Sequence, residues 1–198
     1  SERFSLLEPL SVLNNEIMRC IISEEEIADD ASPGLKSVRR QIKAANDKIH
    51  DQLAKLITDA GTKLMLQDAI VTMRNGRYCL PVKQEYKNSF GGMLHDQSAT
   101  GSTAFIEPAS VVKLNNELAE LSIREQQEIE KVLAALSGQA AEHTEDLTYN
   151  QATLAEFDFI FARAVLAKQM KAIQPKFNDR RYINIRKGRH PLIDPHKV

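Results

Sequence analysis

A short stretch rich in turn residues stands immediately before a long run that lacks helix breakers, and this contrast restricts the folds open to the chain. Residues 77–107 hold three of the eight glycines, whereas residues 109–171 hold one glycine, Gly138, and no proline. Because glycine and proline are the strongest local interrupters of regular structure, the second stretch predicts one very long helix. We therefore expect a small β module at the foot of long helices, a shape suited to gripping a large partner rather than enclosing a small substrate.

Two helices are predicted ahead of the module. The first is expected over residues 2–22, with Pro9 marking either a kink or a late start. The second is expected over residues 33–61, with Ser32 as its N-cap and Gly61 as its C-cap. Its apolar side chains recur at the three- and four-residue steps of one helical face, at Leu35, Val38, Ile42, Ala45, Ile49, Leu53, Leu56 and Ala60.

The module itself is predicted to be a small antiparallel sheet. Asn75-Gly76 is a strong signal for a two-residue hairpin turn, and residues 98–101 mark a second turn. The segments that flank these turns have the alternation of half-buried strands. Four short strands are expected, at residues 70–74, 77–82, 93–97 and 102–106.

The long helix is predicted to begin at Pro108 and to end near Lys171. Its apolar stripe has a mean step of about 3.54 residues, close to the coiled-coil value of 3.5, and Ser137-Gly138 is the expected bend. Three polar members of the stripe indicate a thin seam rather than a thick core. The stripe comprises Leu118, Leu121, Glu125, Ile129, Val132, Leu136, Ala140, His143, Leu147, Asn150, Leu154, Phe157, Phe161 and Ala164.

These elements predict a mainly α fold, in which long antiparallel helical or coiled-coil arms carry a small antiparallel β module at the tip. Four parts are expected along the chain: helical arms in residues 1–68, the β module in 69–108, the long returning helix in 109–172, and a tail in 173–198. The tail contains a predicted strand at residues 181–186, and the residues after it read as the opening of a further domain.

The formal net charge of −1 hides a polarised charge distribution. Residues 109–172 carry ten acids and six bases, whereas residues 173–198 carry seven bases and two acids. The total gives no global attraction to nucleic acid or membrane. No apolar run approaches the roughly 20 residues that cross a bilayer, and no signal peptide is recognisable. Cys20 and Cys79 have no metal or redox spacing, which favours two buried thiols in a cytoplasmic protein.

Catalytic chemistry is not predicted for this chain. The sequence contains no GxxxxGK[ST] phosphate-binding loop and no HExxH, paired CxxC or GxSxG pattern. His95-Asp96 would suit acid–base or metal chemistry, but a hydrogen-bonded structural pair is favoured. His143 falls on the helical stripe and is interpreted as a seam residue rather than a ligand. We expect no catalytic, cofactor-binding or metal-binding residue in this chain.

Basic side chains are the better functional candidates. Four of them lie in or next to the module, at Arg74, Arg77, Lys83 and Lys87, with Tyr78 and Tyr86 interleaved. Basic residues on a β tip suit a phosphate backbone, because such contacts need charge and reach rather than base-specific geometry. Ordinary solvated surface charges are the alternative. A second basic face is predicted on the second helix, at Lys36, Arg39, Arg40 and Lys43.

Several motifs of the chain resemble the MutS family, and specifically its type-2 branch. The most specific are HDQSA at residues 95–99, FIEP at residues 105–108 and LNNEL at residues 114–118, together with GRY at residues 76–78. The sequence GRHPL at residues 188–192 is similar to the opening of the ATPase domain of this family. The resemblance covers nearly the whole chain.

This resemblance implies that the helices are lever arms and that residues 69–108 are a clamp at their tips, which closes on nucleic acid. Type-2 members lack the mismatch-reading N-terminal domain and are linked to branched recombination intermediates, to suppression of homologous recombination and to the rescue of collided ribosomes. The expected partners are therefore DNA, ribosomal RNA or both.

The resemblance further implies that the full-length protein is a homodimeric ATPase, which uses ATP and magnesium and carries a C-terminal nuclease domain. These parts would lie outside this chain, which starts without Met and is expected to be a piece of a longer protein. Residues 173–198 would then be the start of the ATPase domain.

Two other classes of function are open at this point. A structural coiled-coil adaptor that binds protein partners as a homodimer would need the same apolar repeat. An enzyme would need a metal site at His95-Asp96. Stable dimerisation of the chain alone would favour the adaptor, and metal binding or hydrolysis would favour the enzyme.

Overall fold

The computed structural model describes residues 4–186, 188 and 190. These residues are mainly helical, as predicted, and include two small antiparallel sheets, of which the four-stranded one was predicted. They divide into two compact units. The first unit is residues 10–141 and contains both sheets, and the second combines the residues up to Pro9 with those from Glu142 onward. Within the described ranges, no helix combines the length and the apolarity that crossing a membrane requires.

Helix α1 (Ser11–Cys20) is shorter than the helix predicted over residues 2–22. Pro9 marks a late start rather than a kink. The following Leu10 is the N-cap and has a φ of 46° and a ψ of 41°, a left-handed conformation that is unfavourable for residues with a side chain. The chain therefore cannot continue a right-handed helix through this position.

A two-stranded antiparallel sheet follows α1, where no strand was predicted. Its strands are β1 (Ile21–Ser23) and β2 (Glu26–Ile27). The predicted first helix ended at residue 22, and the acidic stretch at residues 23–30 was assigned no element because it breaks the helical pattern. Arg39 anchors the hairpin: its Nη1 donates to the Ile27 carbonyl oxygen at 2.7 Å and forms an ion pair with Asp29.

Helix α2 (Pro33–Thr58) begins where it was predicted to begin. Ser32 is its N-cap, and the hydroxyl accepts a backbone N–H of the first turn at 3.0 Å. The helix ends before Asp59, which instead caps α3 (Ala60–Met65) by accepting a backbone N–H of that helix at 2.8 Å. Gly61 therefore lies inside α3, and its prediction as a C-cap is wrong.

The β module is the predicted antiparallel sheet of four strands, in the spatial order β3-β4-β6-β5. The strands are β3 (Thr72–Arg74), β4 (Arg77–Lys83), β5 (Gly92–Gln97) and β6 (Thr103–Pro108). Asn75 and Gly76 connect β3 to β4 with φ values of 51° and 74°, the left-handed conformations that a two-residue hairpin turn of this kind requires. The predicted hairpin is confirmed.

The pairing of β5 with β6 has one irregularity and one unusually close approach. The register shifts between Leu94 and Asp96, which makes His95 the extra residue of a bulge. At the start of β5, a Cβ atom on Gly92 would lie 2.2 Å from the carbonyl oxygen of Glu107. Only glycine fits this close approach between the two strands.

One face of the sheet shares an apolar core with α2 and with the start of α4 (Val112–Glu142). Leu80 and Ile106 of the sheet, and Ile49 and Leu53 of α2, are each at most 2% exposed. Burial of a side chain of this size contributes about 1.5–3 kcal/mol to stability. The module and the two helices are therefore parts of one folded unit.

Helices α2 and α4 pack antiparallel, and the predicted stripe of α4 faces α2. Val38 packs with Leu121 in the middle of the two helices. Leu35 packs with Val132 farther from the four-stranded sheet. The polar stripe residue Glu125 accepts a hydrogen bond at 2.7 Å from a guanidinium group of α2. A paired charge thus explains the break in the apolar pattern.

The helix predicted over residues 109–172 differs from the structure at its start and in its middle. Pro108 ends β6 instead of opening the helix, because proline is tolerated at a strand end where no ladder N–H is needed. His143, with a φ of −106° and a ψ of 20°, interrupts the helix ahead of α5 (Thr144–Gln169). The pair Ser137-Gly138, where a bend was expected, lies inside α4.

Helix α5 belongs to the second unit, where its contacts are with the N-terminal segment. Phe4 stacks on Phe157 with the ring centroids 4.2 Å apart. The Asn150 carboxamide donates to the Glu8 carbonyl oxygen at 2.6 Å and accepts from the Glu8 N–H at 3.1 Å. Within the described residues, most of the predicted α5 seam has no helical partner. Its exposed members include Leu147, Leu154 and Phe161, which are 42%, 54% and 57% exposed.

Residues 170–186 form neither helix nor strand, so the strand predicted at residues 181–186 is wrong. Arg181 has a φ of 50°, which is incompatible with an extended strand. A strand also needs a neighbour to satisfy its backbone, and the described part of the chain places none beside this segment. The predicted opening of a further domain, residues 188–193, lies outside the described residues except at its first and third positions.

Candidate nucleic-acid interface

The four basic residues predicted for the module lie at opposite ends of β4. Arg74 and Arg77 are paired across the β3–β4 hairpin, next to its turn. Lys83 is the last residue of β4, and Lys87 follows the short 3-10 turn Gln84–Tyr86. Six residue steps along a strand correspond to about 20 Å. The structure therefore separates the predicted site into an arginine end and a lysine end.

Arg77 is held inside the module by a buried carboxylate. Its Nη1 donates to Glu107 Oε1 at 2.6 Å, and its Nη2 donates to the Asn116 side chain. Glu107 is fully buried, and its second oxygen lies 2.6 Å from His95 Nε2. The Asn115 carboxamide donates to Glu107 Oε1 at 2.8 Å. We call these five residues the Glu107 network.

The Glu107 network unites the motifs that carry the sequence resemblance. Arg77 belongs to the GRY motif, His95 to HDQSA, Glu107 to FIEP, and Asn115 and Asn116 to LNNEL. Three strands contribute one side chain each, and the start of α4 contributes two. The motifs therefore join the module to the long helix, a role that the sequence reading did not predict.

Asn115 also extends the backbone pairing of β4. The β4–β6 register places Tyr78 opposite Pro108, which has no N–H to donate. The Asn115 carboxamide accepts from the Tyr78 N–H and donates to the Tyr78 carbonyl oxygen, both at 3.2 Å. A side chain of α4 thus takes the place of a strand residue, which explains why Asn115 is 2% exposed.

The Glu107 carboxylate is kept charged by its surroundings. Burial alone would raise the pKa of Glu107, but hydrogen bonds from Asn115, His95 and Arg77 together lower that pKa below its ordinary value. A carboxyl group whose pKa is lowered by folding stabilises the protein above its unfolded-state pKa, and the contribution is lost as the pH falls through the folded-state pKa.

Acid should therefore weaken the module through Glu107. We expect the stability difference between the parent and the Glu107→Gln variant, which cannot titrate here, to be largest near neutral pH. The difference should shrink as the pH falls below the ordinary carboxyl pKa of 4.5. Urea denaturation of both proteins across this range would measure it. A difference that stays constant or grows with acid would contradict a lowered pKa of Glu107.

Arg74 is also engaged within the module, although it is more exposed than Arg77. Its Nε lies 3.3 Å from Asp96 Oδ2, and its guanidinium group covers the Phe105 ring at 3.8 Å from the centroid. The neighbouring Asn75 donates to the His95 carbonyl oxygen at 3.2 Å. These contacts fold the β3–β4 turn onto β5, so the arginine end is built mainly from internal pairs.

The charges at the lysine end are less engaged in ion pairs than those at the arginine end. Lys83 Nζ donates to the Leu64 carbonyl oxygen at 2.9 Å, which leaves two of its three N–H groups for other acceptors. Among the described residues, no carboxylate forms an ion pair with Lys83 or Lys87. Lys63 is exposed and adjoins Leu64, so the fold brings a third lysine to this end. The sequence offered no signal for it, because Lys63 lies 20 positions before Lys83.

Only part of the second predicted basic face is free to contact a ligand. Lys36, Arg40 and Lys43 are exposed on α2 and share a face through their three- and four-residue spacing. Arg39 is not free, because its guanidinium group pairs with Asp29 and with Glu125. The structure therefore divides this set into three solvent-facing bases and one structural arginine.

The two histidine alternatives also find structural partners. His95 contacts Glu107, whereas Asp96 pairs with Arg74. The two neighbouring side chains therefore have different partners and do not form one common site. His143 Nδ1 lies 3.3 Å from Asp146 Oδ2 at the start of α5. In the part of the chain that the structure describes, no three potential metal ligands are grouped together.

The aromatic residues of the module are only partly exposed. Tyr78 and Tyr86, which are interleaved with the bases in the sequence, pack against the core shared with α2. The Tyr78 hydroxyl donates to Asn46 of α2 at 2.8 Å. The candidate surface is therefore polar and charged rather than aromatic.

Residues 10–141 thus belong to a class of helical regions in which an antiparallel helix pair carries a small β module on its end. No protein-family model matches the chain. The chain is 74% identical over 198 residues to the endonuclease MutS2 of Lachnoclostridium phytofermentans. It is 59% identical over 195 residues to that of Agathobacter rectalis and 48% identical over 192 residues to that of Shouchella clausii.

These similarities extend along the whole chain, which belongs to the MutS family and to its type-2 branch. The chain spans about a quarter of the length of these curated relatives, since it covers 25%, 25% and 24% of them. The term endonuclease in their names describes those longer proteins.

Proposed function

We propose that residues 10–141 are the part of a type-2 MutS protein that closes on nucleic acid. In this proposal the β module is the clamp, and α2 with α4 is the lever that carries it. The shared apolar core and the Glu107 network support this role, because they join the module to the helices without a flexible linker. A force applied along the helices would therefore move the module with them.

The observation that carries the proposal is the free charge at the lysine end. Lys83 and Lys87 have no ion-pair partner among the described residues, whereas both arginines at the opposite end have one. Contacts with a phosphate backbone need such unpaired positive charges. The absence of an exposed aromatic side chain in residues 10–141 favours backbone contacts over base stacking.

The wider role of the protein is proposed from its relatives. The full-length protein would be a cytoplasmic homodimer that uses ATP and magnesium to move the levers and acts on branched DNA, on collided ribosomes, or on both. Coiled-coil continuation of the arms through α5 belongs to the same proposal, with the exposed apolar side chains of α5 as its support.

Direct binding measurements would test the proposal. Fluorescence anisotropy of the 198-residue chain with duplex DNA, duplex RNA and a single strand of equal length should give weak binding to both duplexes, independent of sequence. The single strand should bind no better than the duplexes, because no stacking surface is exposed. A chain that binds neither duplex at low salt would contradict the clamp assignment.

A further inference from the structure

Three hydroxyl groups converge at the turn between β5 and β6. Thr100 Oγ1 lies 2.9 Å from Ser102 Oγ, and Ser98 Oγ lies 3.4 Å and 3.5 Å from these two atoms. Ser98 Oγ also accepts the Thr103 N–H at 3.1 Å, which fixes the turn. We call Ser98, Thr100 and Ser102 the hydroxyl turn.

The hydroxyl turn lies at the lysine end of the module. Thr103, which follows it, is the strand partner of Lys83. The Gln84 N–H donates to the Ser102 carbonyl oxygen at 3.0 Å, so the short turn that leads to Lys87 starts beside the hydroxyls. Gly101 has a φ of 73°, and the space around its Cα is open. The turn is therefore open on the side that a Cβ atom of Gly101 would occupy.

Charge is one part of what this end of the module offers an anion. Three lysines, Lys63, Lys83 and Lys87, lie near it, and the carboxylate residue Glu85 stands between two of them in the sequence. Serine and threonine hydroxyls add neutral donors, which commonly contact phosphate oxygens in nucleic-acid complexes. Two exposed hydroxyls stand at the end of the strand segment that pairs with Lys83, so this end of the module carries both kinds of contact that a phosphate group needs.

We propose that the hydroxyl turn, together with Lys83 and Lys87, forms a subsite for a backbone phosphate of duplex nucleic acid. This inference rests on the proposed function and specifies where the clamp touches its ligand. The hydroxyls of Thr100 and Ser102 donate to the phosphate oxygens, and the two lysines neutralise the charge. The subsite does not distinguish between bases, because each of its groups contacts the phosphate backbone.

The double variant Thr100→Val and Ser102→Ala tests the subsite. It removes two exposed hydroxyls and keeps Ser98, which holds the turn. The matched control is Thr58→Val with Ser122→Ala, which removes two exposed hydroxyls that bond only to carbonyl groups of their own helices. Binding to one duplex sequence, as DNA and as RNA, would be measured from about 50 to 200 mM salt, with circular dichroism to confirm folding.

The hydroxyl variant should bind about tenfold more weakly at every salt concentration, since two hydrogen bonds are lost. Its slope of log K against log salt should equal that of the parent, because no charge is removed. Lys83→Gln with Lys87→Gln should instead make the slope shallower by about 1.8. Equal losses on DNA and RNA would indicate phosphate as the common ligand, and a loss on one alone would identify that nucleic acid as the source.

Each of the remaining outcomes would contradict the subsite, the proposed function or both. If the lysine variant weakens binding and the hydroxyl variant binds like the parent, the subsite is wrong and the proposed function stands. If the helix control loses as much affinity as the hydroxyl variant, the loss is not specific to the turn and the subsite is also wrong. If neither variant changes binding, or the parent does not bind, the proposed function fails together with the subsite.

Discussion

Replacement of Glu107 with alanine is expected to lower the free energy of unfolding by about 3 kcal/mol. The substitution leaves the guanidinium group of Arg77 without its carboxylate partner, and Arg77 is only 24% exposed. It also removes the acceptor for Asn115 Nδ2 and the partner of His95. A buried polar group left without a partner costs more than its hydrogen bond contributed.

Two further variants make this expectation specific. Glu107→Gln keeps the shape and one acceptor oxygen, so its loss should be smaller than that of alanine. Glu120→Ala removes an exposed carboxylate of α4 and should change stability by less than about 0.5 kcal/mol. Urea denaturation followed by circular dichroism compares the three proteins with the parent. A Glu107→Ala variant as stable as Glu120→Ala would show that the Glu107 network does not hold the module.

Replacement of Lys83 and Lys87 with glutamate should have the largest effect on binding. Loss of two phosphate contacts corresponds to a decrease on the order of a hundredfold at about 50 mM salt, and charge reversal adds repulsion. The loss should be the same for all duplex sequences, because phosphate contacts carry no base information. Anisotropy titrations with two unrelated duplexes would measure both features.

The second basic face provides the control for this variant. Lys36 and Lys43 are exposed lysines on α2, and their replacement with glutamate introduces the same change of net charge. This control should lose much less affinity than the Lys83 and Lys87 variant. If the α2 variant loses as much or more, the contact surface lies on the lever and not at the lysine end of the clamp.

Local patterns were sufficient to predict several elements of the fold. The hairpin at Asn75-Gly76 follows from residues that accept a positive φ, and the start of α2 follows from Ser32 and Pro33. The stripes of α2 and α4 were predicted because a buried helical face has a fixed period. Each of these signals lies within a few neighbouring residues of the sequence.

Features that depend on distant contacts were missed or misread. Glu107 is fully buried because residues up to 30 positions away complete its hydrogen bonds, whereas sequence alone places a glutamate on the surface. The strand expected at residues 181–186 has suitable residues but no neighbouring strand among the described residues. Both outcomes depend on tertiary partners that periodicity cannot supply.

The predicted nucleic-acid site also combines features that the sequence shows with features that depend on distant contacts. From the sequence, all four basic residues, Arg74, Arg77, Lys83 and Lys87, were equally good candidates for phosphate contacts, because all are basic and close to turns. Their difference appears only when the carboxylates Asp96 and Glu107 are brought beside the arginines. Formal charge in a sequence therefore overstates the charge that is free to meet a ligand.

The salt dependence of duplex binding by the parent chain tests the central proposal most directly. If the lysine end grips the backbone through Lys83 and Lys87, with Lys63 as a third contact, log K should fall against log salt with a slope between about −1.8 and −2.7. A slope steeper than about −2.7 would require that the arginines or the basic face of α2 also neutralise phosphates. Binding that does not change with salt, or no binding at low salt, would contradict a clamp that holds nucleic acid through these lysines.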